Sequence, residues 1–296
     1  MYAVVGATGN TGRPLVEALL ARGARVRVIG RSAERLRPLV EKGAEQFIGS
    51  VEDRDAMVDA FSGARAVYSL IPQRLDVDDL RAYQRKCGEA IAHGIKKAGV
   101  EYAVNLSGIG AQHTEGTGSI AGLREHEDRL NAVVGLNVVH LRGGYFFENH
   151  LHGIDMIKKL GVAGSALLPD LSIPQVAARD IAAVAADLLL ELGFSGSSKR
   201  ELLGERDLTM REAVGVLGRA IGKDKLRYVQ FAYSAAEFAM MTMGVSQGVA
   251  QQLIEVSRGF NEGRVVPEEA RSAENTTPTS IEEFSEVFAK AYVGEG

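Results

Sequence analysis

Met1-Tyr2-Ala3-Val4-Val5-Gly6-Ala7-Thr8-Gly9-Asn10-Thr11-Gly12 is the stretch whose reading decides the architecture. Tyr2–Val5 reads as a short buried strand, and a helical pattern runs from about Thr11 to Arg22. Between them stand three glycines spaced three apart. Glycine lets the backbone turn sharply and approach a diphosphate closely, and the free N–H groups at a helix start face the anion. Thr8, Asn10 and Thr11 can add side-chain hydrogen bonds, so Gly6, Thr8, Gly9, Asn10, Thr11 and Gly12 form a candidate phosphate loop. The alternative phosphate-binding pattern, G-x-x-x-x-G-K-[ST], occurs nowhere in the chain.

The same strand-then-helix rhythm continues outward. Arg25–Ile29 is followed by Glu34–Lys42, Glu45–Ile48 by Asp53–Phe61, Ala66–Ile71 by Val77–Ala98, and Tyr102–Leu106 by a loop and a helix near Leu123–Val133. Asn137–Leu141 reads as a sixth strand. These units predict an α/β fold, a doubly wound parallel Rossmann sheet. Beyond about residue 150 longer helical stretches, 180–191, 210–221, 233–258 and 281–292, alternate with strand-like pieces at Ala166–Leu168, Arg200–Leu203 and Leu226–Val229. The expected division is a dinucleotide-binding domain over 1–150 and a smaller, mostly helical substrate lobe over 151–296, whose strand-like pieces either extend the sheet or stand apart. Glu262–Thr279, polar and with two prolines, reads as a linker. In the stretch containing Phe238, Met240, Met241 and Met243, helical core, a substrate lid and an oligomer interface all remain open.

Composition narrows the partners. Among 296 residues, 34 Lys+Arg against 38 Asp+Glu give a net charge of −4 with no basic stripe, which argues against nucleic acid or anionic lipid as a partner. One cysteine, Cys87, excludes an intrachain disulfide framework and any multi-thiolate metal site, and fits a reducing cytoplasm. The N-terminus enters a strand without an export pattern, and the most apolar run, Ile181–Leu190, is too short for a bilayer core and contains Asp187, so no membrane association is expected. His150-x-His152 invites a metal reading, but helical residues two apart point to different faces, so no metal site is expected.

About twenty residues beyond the glycine loop, the second strand ends in Ile29-Gly30-Arg31-Ser32, where a carboxylate would hold the ribose hydroxyls of NAD. Arg31, with Ser32 and Arg35 assisting, suits a 2′-phosphate instead. This points to NADP(H), with NAD(H) the less favoured cofactor; an ordinary solvated arginine is the competing reading of Arg31.

Gly6-x-x-Gly9-x-x-Gly12 with Gly30-Arg31, followed by Leu141-Arg142-Gly143-Gly144-Tyr145-Phe146-Phe147-Glu148-Asn149 after the sixth strand, resembles the NmrA-like group of atypical short-chain dehydrogenases/reductases. That group is the branch that includes triphenylmethane reductase-like NAD(P)H-binding proteins. Later elements arrive in the matching order: Arg179-Asp180-Ile181-Ala182, then Leu208-Thr209-x-x-Glu212, then Thr277-Pro278-Thr279-Ser280. The resemblance implies that the loop residues hold the diphosphate and that Arg31 and Ser32 hold the 2′-phosphate. It places Ser50 and Val51 at the adenine, although the family often has Asp where this chain has Ser50. It sets Leu70, Ile71, Pro72 and Gln73 beside the nicotinamide-side ribose, and Tyr145, Phe146 and Asn149 at the substrate mouth.

The proton chemistry is less conventional. Many short-chain dehydrogenases carry a Tyr with a Lys four residues later, and none of the eight tyrosines here has that partner. Ser107 matches the usual serine position without those partners. In an enzyme reading, hydride passes from NADPH to a conjugated acceptor, a quinone, dye or enone, with Arg124 stabilising charge and His126 delivering a proton. Plainer readings make His126 a surface histidine beside Glu127 and Arg124 an ion-pair partner of Asp128. In a sensor reading the chain binds NADP(H) without turnover and signals to a regulatory protein partner; a homodimer is compatible with either. A sugar-nucleotide epimerase, which needs the missing Tyr–Lys pair, ranks last.

Overall fold

The computed structural model describes residues 1–294. The first five units run β1 (Tyr2–Val5), α1 (Gly12–Ala21), β2 (Val26–Gly30), α2 (Ala33–Val40), β3 (Glu45–Ile48), α3 (Arg54–Phe61), β4 (Ala66–Ser69), α4 (Leu80–Ala98), β5 (Tyr102–Gly108) and α5 (Ile120–Asn131). Then come β6 (Asn137–Gly143), β7 (Tyr145–Phe146), a 3₁₀ helix over Phe147–Gly153, α6 (Ile154–Leu160), β8 (Val162–Ser165) and β9 (Ile173–Val176). The chain continues through α7 (Ala178–Glu191), β10 (Ser197–Leu202), β11 (Asp207–Leu208), α8 (Met210–Ala220), β12 (Arg227–Gln230), α9 (Tyr233–Thr242), α10 (Gln247–Asn261) and α11 (Ile281–Val293).

The central sheet has seven parallel strands in the order β10-β6-β5-β4-β1-β2-β3. Every residue of β1 is buried because the sheet is covered on both faces. Val4, with Tyr68 of β4, packs on Leu15 and Leu19 of α1 and on Ile181 and Ala185 of α7. Ala3 and Val5 face Met57 and Phe61 of α3 and Ile91 and Ile95 of α4. Short side-chain caps start the helices cleanly: the Asp53 carboxylate accepts from the Asp55 and Ala56 amides, and Asp79 accepts from the Ala82 amide. Burial of Cys87 pushes its thiol up to about 11, away from reactivity.

Of the strand-like pieces in the second half, the one near Arg200–Leu203 extends the sheet as β10, and α7 before it covers the sheet face. The lobe proper holds a small sheet in the order β11-β9-β7, the parallel pair β8–β12, and a core that includes Phe147, Met210, Phe284 and Phe288. Ala166–Leu168 is not a strand; β8 ends just before it. The expected long helix over 233–258 breaks at Gly244, whose φ of +89° an L side chain resists. α9 buries none of its side chains, with Phe238 67% exposed and Met243, just past its end, 70% exposed, which removes the core reading of this stretch.

The segment over 262–279 is not a free linker. The buried Glu201 carboxylate accepts from the Glu268 and Glu269 amides at 2.9 and 3.0 Å. Arg142, in a buried bidentate pair with Glu127 at 2.9 and 2.7 Å, also binds Glu268, which Lys199 binds in turn. Farther along, buried Asp180 accepts from the Thr279 hydroxyl at 2.6 Å and its amide at 2.9 Å.

Replacing Glu201 with Gln removes one acceptor from a buried amide pair, a loss of about 1–3 kcal/mol. Urea denaturation of Glu201→Gln should show that destabilisation, and limited proteolysis should cut first within 262–279. Wild-type stability and cleavage would mean that the strap is not held by this carboxylate.

Candidate active site

Each glycine of the first loop has its own steric reason. Gly6 has φ +68°, and its carbonyl accepts from the Gly9 amide at 2.9 Å, closing the turn. A Cβ on Gly12 would stand 2.1 Å from the Gly6 carbonyl oxygen, so the first turn of α1 lies against the loop with room only for hydrogen. The Asn10 and Thr11 amides have no partner among the described residues, as an anion cradle requires. Tyr68 donates to Thr11 Oγ1 at 3.0 Å and fixes the start of α1, and burial drives the Tyr68 phenol upward so that it stays protonated.

The crevice opens where the chain leaves β1 in one direction and β4 in the other, at the carboxyl ends of the strands. It forms a cavity of about 710 Å³. Gly6, Thr8, Gly9, Asn10 and Thr11 line its middle; Gly12 lies outside the lining, packed on the loop. On the flank beyond β2 stand Arg31, Ser32 and Arg35, with Ser50, Val51 and Glu52 after β3. Arg27 and Arg37 pair with Glu45 and Glu41, whereas Arg31 and Arg35 have no ion-pair partner among the described residues. The Ser32 hydroxyl accepts from the Arg35 amide at 3.3 Å, capping α2 beside those two cations. Ser50 Oγ accepts from the Glu52 amide at 3.2 Å, and Glu52 is itself held by Arg74 at 3.5 Å and Lys86 at 3.3 Å.

The opposite flank is mostly apolar: Leu70, Ile71, Pro72 and Gln73 after β4, Leu106 in β5, then Phe146, Asn149 and His152. A smaller chamber of about 160 Å³ shares Ile71, Pro72 and Gln73 and continues between Leu80, Leu123, Val249 and Leu253. Sequence reasoning passed over Glu52, Tyr83, Leu106 and His152 on these walls. Leu106 is legible as the β5 counterpart of Leu70, whereas the sequence offers His152 only as half of a His-x-His pair.

The residues expected to move protons lie elsewhere. Ser107 is 3% exposed, its hydroxyl without a partner, and it is absent from the cavity wall. Arg124 forms the ion pair with Asp128, at 3.0 Å, and stays off the wall. His126 is 0% exposed, because α5 turns Gly122, His126 and Leu130 inward; its ring bonds the Ser69 hydroxyl at 2.8 Å. Burial pushes its pKa down to about 3 and favours the neutral ring, so it is not the surface histidine anticipated. Tyr145 packs edge-on against His150 and Phe260, at ring separations of 5.7 and 6.3 Å, and does not line the cavity, unlike Phe146 and Asn149. His150 is buried on Gln175 at 2.9 Å while His152 faces the cavity, so the two imidazoles do not converge.

Comparison with known proteins follows the same outline. The NmrA-like family model matches residues 2–285. The chain is 30% identical over 241 residues to (4-alkanoyl-5-oxo-2,5-dihydrofuran-3-yl)methyl phosphate reductase of Streptomyces griseus, covering 81% of this chain and 80% of that protein. An NADPH-dependent quinone oxidoreductase from Escherichia coli, solved with NADPH, superposes with a TM-score of 0.80 at 23% identity over 96% of this chain and 98% of that one. Triphenylmethane reductase from Citrobacter sp., solved with NADP(H), gives a TM-score of 0.80 at 17% identity over 98% and 100% of the two chains.

Buried His126 makes stability depend on pH with a defined sign. Its folded pKa of about 3 lies below the ordinary 6.5, so between those values the unfolded chain binds the proton and the folded chain does not. Stability therefore falls as pH drops below 6.5, by up to about 1.4 kcal/mol per pH unit for this residue. His140, pushed down to about 4 by burial, acts in the same direction. Urea midpoints between pH 7 and pH 5 should fall less steeply in His126→Gln than in wild type; equal slopes would show that His126 is not held neutral.

Proposed function

The chain belongs to the NmrA-like family, and from that premise we propose that it is an NADP(H)-dependent oxidoreductase that reduces a small conjugated acceptor of quinone, dye or enone type. The observation that carries the reading is the two-sided cavity: unpaired Arg31 and Arg35 at one end, an apolar wall at the other, and a glycine loop with open amides between them. The relatives that reduce a furanone phosphate, quinones and triphenylmethane dyes support the reaction class.

In this reading the amides near Asn10 and Thr11 bind the diphosphate, and the Arg31 fork, with Ser32 and Arg35, neutralises the 2′-phosphate. Val51 and Ser50 border the adenine. Leu70, Leu106 and Phe146 exclude water from the reacting end, which strengthens every charge interaction there. Bound there, the reduced dinucleotide supplies a hydride. The side chamber between α4, α5 and α10 takes the apolar body of the acceptor, so the second half of the chain acts as the substrate lobe. The missing Tyr–Lys pair suits acceptors that spread the charge left by hydride addition.

Arg31→Asp should weaken NADPH binding by about 10–100-fold, the worth of a lost charge-assisted contact, with little change for NADH. Calorimetry with both dinucleotides checks this, and equal losses would remove Arg31 as the selector. Oxidation of NADPH by a panel of quinones, triarylmethane dyes and enones tests turnover. Tight binding with no oxidation would favour a non-catalytic sensor instead.

A further inference from the structure

Given the reductase reading, we propose that His152 is the proton donor to the acceptor, completing reductions in which hydride transfer leaves negative charge on an oxygen. Phe147–Gly153 is a 3₁₀ helix, with three residues per turn, so positions three apart stand above one another. Phe146, Asn149 and His152 follow that spacing, and all three line the large cavity on the side of β5 and β6. The intervening residues turn away: Glu148 is spent on the Ala178 amide at 3.1 Å and His150 on Gln175.

The other candidates on this side are occupied. Ser107 and His126 are buried off the wall, Arg124 is paired with Asp128, and burial raises the Tyr145 phenol, which faces Phe260 and His150. Among the described residues His152 alone combines a place on this flank, a titratable ring without a hydrogen-bond partner, and exposure to solvent for reprotonation. Its row mate Phe146 supplies the apolar surface for a flat acceptor.

With a quinone as acceptor, hydride addition leaves one oxygen negatively charged. Two electrons and one proton arrive as hydride and form one new bond to hydrogen. The imidazolium N–H breaks as its proton passes to the oxygen bearing the negative charge, giving the hydroquinone. The neutral ring then takes a proton from water. A cationic triarylmethane dye needs only the hydride, because addition at the central carbon neutralises it.

This difference supplies the test. In His152→Ala, quinone turnover should fall by about 100-fold, the lower range for loss of a general acid. Added imidazole should restore it, while dye reduction and NADPH affinity stay at wild-type levels. By NMR, the ring resonance that disappears in His152→Ala should shift in wild type when hydroquinone is added to the NADP⁺-saturated protein. Unchanged quinone turnover, an equal loss on quinone and dye without rescue, or an unmoved resonance would overturn the assignment. A wild-type protein that binds NADPH yet reduces neither acceptor would remove the reductase reading itself, and the assignment with it.

Discussion

The contact between the first turn of α1 and the Gly6 carbonyl is the constraint on which the site depends. Where a methyl group at position 12 would sit, a carbonyl oxygen stands 2.1 Å away, so the helix lies as close to the loop as a backbone can. That closeness sets the direction of the helix start and hence of its open amides. It also brings Leu15 and Leu19 down onto Val4 and Tyr68, so one packing requirement serves both the core and the cavity. Tyr68 reinforces it from beneath by holding Thr11.

The second half of the chain is joined to this frame by the apolar packing of α7, by the pairing of β10 with β6, and by buried polar contacts. Glu201, Arg142 and Asp180 each extend from the sheet or its covering helix to a segment beyond residue 260. Removing one partner would leave a buried charge or amide unpaired, so such clamps are costly to break even where their net contribution is small. The loop after β4 is tied in as well: Leu75 and Val77 carbonyls accept from the amide and hydroxyl of Ser246 at the head of α10. The apolar flank of the cavity and the lobe above it are thus parts of one packed body.

How much of this was legible follows from the range of each interaction. β1, β2, β4 and β5 were readable because each is a short, largely apolar run with its helix close behind it, and β3, half polar, was readable from its place in the same strand-then-helix rhythm. β10 was harder, since four of its six residues are exposed and polar, and its place depends on pairing with β6, more than fifty residues earlier. The strap looked like a linker because its partners, Glu201 and Asp180, lie far away in sequence. At the site the same division by range holds. Positions fixed by the loop or a strand end, such as Gly9, Arg31, Leu70 and Phe146, came together in the cavity. His126 did not, because its charged neighbour Glu127 suggested a solvent face, whereas α5 turns both inward with Gly122 and Leu130, Glu127 onto Arg142.

The sheet's ends carry a consequence for how the protein behaves in a crowded solution. β3 and β10 are its two margins, each hydrogen-bonded on one side only, and unpaired margins are templates for adding a strand from another molecule. β10 opens with Ser197-Ser198-Lys199-Arg200, all exposed, and Arg200 donates to the Glu274 carbonyl of the strap running past it. β3 opens with exposed Glu45 and Gln46 and is only four residues long. Charge, brevity and a covering segment therefore blunt both margins, and a parallel sheet that would otherwise invite strand-by-strand growth is limited to seven strands.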